Sequence, residues 1–142
     1  MDYISPKEVA GAMMNTAIYK SSLPVKDLLI RGALSGALLA ISVTLALLAT
    51  SQTGLGLVGA FVFPVGFVII VILGLELVTG SFSLVPLAWF EGKINFKAMA
   101  NNLFWVFLGN LLGSVLFAIL FWAASTETGH SSQLGNIEQS LI

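Results

Sequence analysis

The sequence predicts an all-α membrane protein with three transmembrane spans, the second of them broken. Three observations predict it. Hydrophobic residues make up 57% of the 142 and charged residues 9%, with a mean hydropathy of +0.97; a soluble domain carries about 25% charged residues. So few charges cannot cover a globule with solvated side chains, so lipid must be part of the solvent. The apolar residues fall in long runs, and all six basic residues lie where three passes would put one side of the membrane.

The composition also excludes function classes. A net charge of −1 argues against a nucleic-acid partner, which needs a basic face. Without cysteine there is no disulfide, thiolate metal site or thiol nucleophile. The lone His130 cannot build a polyhistidine metal site, and no nucleophile–base pair is visible. No enzyme, cofactor or metal is expected.

The first segment, residues 1–22, reads as a cytoplasmic amphipathic helix. Ser5 suits the N-cap, Pro6 the first helical position, and Glu8 completes a capping box. Val9, Ala12, Met13, Thr16 and Ala17 recur at helical spacing, giving a mildly apolar face for the membrane surface or the bundle. A three-span membrane domain over 23–124 follows, then a polar extracytoplasmic tail over 125–142 containing Glu127, His130 and Glu138.

Span one is expected over 27–49, uncharged from Gly32 to Ala49, close to the ~20 residues a bilayer core requires. Within it Gly32 and Gly36 form a GxxxG pair that lets another helix approach closely. Span two, 59–91, is apolar apart from Glu76 and a few hydroxyls. As one helix it would extend ~48 Å against a hydrocarbon core of ~30 Å. Thr79-Gly80-Ser81-Phe82-Ser83, with Pro86 beyond, is poor helix. The reading is therefore a helix over 59–77, an unwound loop near 78–83 and a short helix to 91. Irregular backbone at that depth is tolerated only inside protein or along a water-filled cavity, and broken helices are where transporters place substrate sites. Span three is expected over 98–124, with Gly109, Asn110 and Gly113 forming a second small-residue patch.

Lys7, Lys20, Lys26, Arg31, Lys93 and Lys97 all fall on the side of the N-terminus and the 91–97 turn. The positive-inside rule then places the N-terminus in the cytoplasm and the tail outside.

Glu76 is the ionisable side chain deep in an apolar run, which makes it a functional candidate whose partner must be found. No cation from this chain is expected beside it; loop amides, a proton or another chain's basic residue could serve. Glu76 either merely ties the loop down or also sets the field an ion feels or shuttles a proton. Thr79 can donate and accept at the break, as a repair of the helix end or as a gate. Phe63 and Phe67 share a helix face, as packing or as hydrophobic constrictions. Asn110 is expected to hydrogen-bond between helices.

The run from Phe63 to Gly80 resembles the signature of the formate/nitrite transporter family at Glu76, Leu77, Thr79 and Gly80, departing at Leu75 and Val78. The turn Glu91-Gly92-Lys93-Ile94, the stretch Val106 to Gly113 and the opening Tyr19-Lys20 with Leu23-Pro24 are similar too. The resemblance implies a channel or transporter in the cell membrane for a small monovalent anion such as formate or nitrite, with or without a proton. It implies a homo-oligomer, a pentamer, whose protomers carry an aquaporin-like fold of two inverted halves. Thr79 would sit in the gating loop, Phe63 at an outer constriction, and Phe67, Leu77 and Val78 towards an inner one. This chain is about half the family's length, so it is expected to be the N-terminal half, with the pore histidine and an anion-attracting lysine supplied by a missing C-terminal half. The alternative is a non-transporting assembly or regulatory subunit that packs through its glycine faces.

Overall fold

A computed structural model of the chain describes residues 4–127. The expected tail beyond Glu127, His130 included, lies outside the described residues. Among the described residues the fold is all helical: α1 Pro6–Ser22, α2 Val25–Thr53, α3 Gly56–Val62, α4 Pro64–Ile72, α5 Val78–Phe90 and α6 Phe96–Glu127.

The local chemistry accounts for each boundary. Ser5 caps α1 in a full capping box: its hydroxyl accepts from the Glu8 N–H at 3.3 Å, and Glu8 Oε2 accepts from the Ser5 N–H at 2.8 Å. Those hydrogen bonds, first from the Ser5 side chain and then from its amide, hold the Glu8 carboxyl below its ordinary pKa. Pro24 separates α1 from α2, and Gly54 closes α2 in the left-handed conformation at φ 68°. Pro64 brings no N–H to the helical ladder, so the rod from Gly56 to Ile72 loses one bond between α3 and α4, although Phe63 keeps right-handed helical angles. Asn95 Oδ1 accepts from the Ala98 N–H at 2.8 Å at the start of α6.

The break lies at 73–77, and the expected position, 78–83, is helix. Gly74 takes φ 62°, the Leu75 N–H donates to Ile70 O at 3.0 Å and the Gly74 N–H to Val71 O at 3.1 Å. This is a Schellman cap, the usual way a glycine ends a helix. Thr79, Gly80 and Ser81 instead make the first turn of α5, where the Ser81 N–H reaches Leu77 O at 3.0 Å. The amides of Thr79 and Gly80 precede the first helical bond and have no helical partner anyway, so helix-poor residues there remove little. Gly92 repeats the cap at the end of α5, with φ 66° and the Lys93 N–H donating to Ala88 O at 2.9 Å.

α2 and α6 form the central pair, and they are long and apolar enough to cross a membrane. Their backbones nearly touch. A Cβ added at Gly109 would lie 2.9 Å from Leu29 O, and one at Gly32 would lie 3.2 Å from the Gly109 Cα. A Cβ at Gly36 would overlap the Asn110 backbone and one at Gly113 the Ala33 backbone. The paired α3 and α4 rest on α2 through Gly59 and Gly66, whose added Cβ atoms would meet the Thr50 and Ser42 hydroxyls. α1 lies across α5 and α6 with Ala17 fully buried. Large apolar side chains stay exposed on the outer faces, Phe61, Val71, Ile72 and Phe90 each at 75% or more.

Candidate functional site

The break is surrounded by a polar network drawn from α1, α2, α5 and α6. Glu76 is 2% exposed, and its carboxylate is met by the ammonium of Lys20 at 2.9 and 2.8 Å. The expectation that no cation of this chain reaches Glu76 is thereby corrected. Lys20 stands in the last turn of α1, and folding α1 across α5 and α6 carries it 56 positions along the chain to its partner. The Ser81 hydroxyl donates a further bond to Oε2 at 3.2 Å. Asn102 of α6 anchors the same turn of α1 by donating to the Lys20 carbonyl at 2.7 Å. A carboxylate this buried would be costly without a cation and hydrogen bonds around it.

The backbone of the break is held from the opposite side. Asn110 Nδ2 donates to Glu76 O at 2.9 Å, and Asn110 Oδ1 accepts from the Val78 N–H at 3.0 Å. Ser35 Oγ donates to the same Glu76 carbonyl at 2.5 Å and accepts from Asn110 Nδ2 at 3.1 Å. Asn110 also lies 3.1 Å from Gly32 O and 3.0 Å from Val106 O. It therefore hydrogen-bonds between helices and reaches the break itself.

Beside the break opens a concavity of about 430 Å³, walled by Thr16, Tyr19 and Lys20 of α1, Phe67 and Ile70 of α4, and the segment from Gly74 through Gly80 without Val78. Thr79 is exposed there, and its N–H and that of Gly80 belong to the open first turn of α5. Most of the remaining wall is apolar. The site thus offers a hydroxyl and the positive end of a helix at the edge of an apolar hollow, an arrangement that suits a small anion.

The expected site residues divide. Phe67, Glu76, Leu77, Thr79 and Gly80 come together around the hollow. Phe63 stands one turn back along the rod, its ring edge-on to Phe67 at 5.2 Å between centroids. Val78 turns away and packs with Trp105 on the buried cluster of Leu23, Leu28 and Val106. Gly32, Gly36, Gly109 and Gly113 lie in the α2–α6 crossing. Sequence reasoning missed Lys20, Ser35, Ser81 and Asn102. A signal for Ser35 was present, since it lies inside the Gly32–Gly36 pair. No local pattern marks Lys20 as the partner of a residue so distant.

Comparison with known proteins bears on this geometry. A family model described as formate/nitrite transporter matches residues 7–141. The chain is 35% identical over 137 residues to the uncharacterized transporter YrhG of Bacillus subtilis, covering 91% of this chain and 52% of that protein. It is 31% identical over 140 residues to the formate channel FocA of Haemophilus influenzae, covering 93% and 48%. With FocA of Escherichia coli K12 the identity is 28% over 141 residues, covering 94% and 49%. The chain spans about half the length of these curated relatives. No solved structure matches. The relatives are named as channels and transporters, not enzymes, and the apolar helices accord with a membrane protein. The family match across nearly all the residues has one conclusion: the chain belongs to the formate/nitrite transporter family.

Proposed function

We propose that this chain forms one half, the N-terminal half, of a channel or transporter that passes a small monovalent anion, formate or nitrite, across the cell membrane. The observation that carries the reading is the interrupted helix at 73–77, with exposed Thr79 at the rim of an apolar hollow. Such a break is stable in lipid only where protein or water shelters it. The hollow beside it is open on this chain, as the wall of a shared passage would be.

In this reading the passage selects in two ways. Phe63, Phe67 and Leu77 narrow it with apolar surface, which rejects hydrated ions by dewetting. Thr79 and the open first turn of α5 give the anion a polar midpoint, and a proton taken up with it would let it cross as a neutral acid. The Lys20–Glu76 pair has no net charge and serves to hold the break. α2 and α6 are two of the three spans; the rod from Gly56 to Ile72, the break and α5 together make the third. A second three-span half, inverted to give an aquaporin-like protomer, would complete the walls, and family resemblance supports a pentamer of such protomers.

The test is flux in liposomes reconstituted with this chain joined to a second three-span half. Formate and nitrite uptake is expected, and Thr79→Val is expected to lower it about a hundredfold, the scale of losing a hydrogen bond from a desolvated charge. Undiminished uptake in Thr79→Val would remove the site from the reading. If Thr79→Val is silent while bulky changes at Gly32 or Gly113 impair a partner's assembly, the chain is a packing subunit.

A further inference from the structure

Between the two hydrogen bonds that Asn110 makes to the break sits a single residue, Leu77, whose backbone is extended at φ −100°, ψ 132°. The carboxamide donates to the carbonyl of the residue before it and accepts from the N–H of the residue after it. That is the pattern by which a residue in a parallel β-ladder grips its neighbour. Here one side chain of α6 takes the place of a strand. The donor and acceptor atoms can be assigned only one way, because Nδ2 faces carbonyls and Oδ1 faces an N–H.

We propose that Asn110 is the positioning residue of the break: its carboxamide splints Leu77 in the extended conformation and so sets where Leu77 and Thr79 stand on the wall of the hollow. Three features support it. Asn110 is 7% exposed and is anchored in turn by α2, through Gly32 O and Ser35 Oγ, so it cannot follow the loop if the loop moves. The N-cap Leu77 makes no side-chain capping bond, and Asn110 Oδ1 satisfies the first amide of α5, the Val78 N–H, from another helix. Leu77 lines the hollow while Val78 is packed in the core, so the splint decides which of two adjacent side chains faces the passage. The inference rests on the proposed channel reading for its consequence, but its physical content can be tested without transport.

The chain contains no cysteine, so single cysteines placed at the break report without background. Thr79→Cys and Leu77→Cys, in membranes of cells making the chain, are treated with a small anionic methanethiosulfonate. Adding Asn110→Leu is expected to change their modification rates about tenfold, the scale of leaving a buried amide and carbonyl unpaired. Ser35→Ala, which removes one bond to the Glu76 carbonyl, is expected to change the rates in the same direction by less. Ser114→Ala, which removes bonds to the backbone carbonyls of Gly36 and Asn110 but leaves the Asn110 carboxamide and its partners in place, is expected to leave them unaltered. Unchanged rates in Asn110→Leu would overturn the proposal, as would equal effects from Ser35→Ala and Ser114→Ala. If Asn110→Leu does not accumulate, the contrast between the two serine variants decides. In reconstituted flux the same variants are expected to alter the ratio of formate to the bulkier acetate, which a general loss of stability would not shift. Absence of flux in the parent protein would remove the channel reading and leave the labelling outcome standing.

Discussion

Glu76 and Lys20 show how far one embedded charge reaches. The carboxylate is nearly inaccessible and the ammonium is largely buried, with 14% of its side chain exposed. Burying either charge there without the other would carry a large desolvation cost. Lys20→Met is therefore expected to destabilise the folded chain by about 3–5 kcal/mol, the cost of leaving a buried partner uncompensated. The double change Lys20→Met with Glu76→Leu is expected to lose less than Lys20→Met alone. Thermal unfolding in detergent measures both, and a double variant less stable than either single would contradict the pairing. Glu76 was conspicuous in the sequence as a lone acid in an apolar run. Its partner was not, because a salt bridge across 56 positions follows from how α1 folds back, and no periodicity records that.

At the scale of elements, small residues decide which helices touch. The GxxxG pairs of α2 and α6 were legible in advance, because close backbone approach requires missing side chains. The crossing they make leaves no room for a Cβ at Gly36 or Gly113. Gly113→Val is accordingly expected to separate α2 from α6 and strip Asn110 of its bonds to Gly32 and Ser35. The expected readout is loss of folded protein in detergent by size-exclusion chromatography, whereas Gly11→Val, at a position with nothing within 4 Å, leaves the elution unchanged. The location of the break was legible only in part. A run too long for one span implied an interruption, but the choice between Gly74 and Gly80 turned on the left-handed angle at Gly74 and on what the amides beyond it bond to. Gly74 followed by Leu75 fits a glycine cap with an apolar residue after it. The hydroxyl-rich stretch after Glu76 masked that signal, although its residues serve a first turn as readily as a loop.

For the whole molecule, charge distribution and hydropathy yield a topology that the fold can accommodate. Lys7 and Lys20 belong to α1, Lys26 and Arg31 to the start of α2, and Lys93 and Lys97 to the turn before α6 and its first residues. Reporter fusions are expected to show Lys7 and Lys93 on the cytoplasmic face and the 53–56 turn on the other. A cytoplasmic 53–56 turn would reverse that orientation. The exposed apolar side chains of the outer faces match lipid or a neighbouring subunit, in keeping with a protein built for the bilayer.

The sequence alone determined the solvent, the number of apolar runs, the glycine faces and the family, since each depends on composition or on spacing along one segment. Only tertiary structure decided where the helix breaks, which of Leu77 and Val78 faces the hollow, and that Lys20, Ser35 and Asn110 converge on Glu76. Those outcomes are set by hydrogen bonds between distant segments. A buried carbonyl or carboxylate must find its partner wherever packing brings one, and that distance is not written in the order of residues.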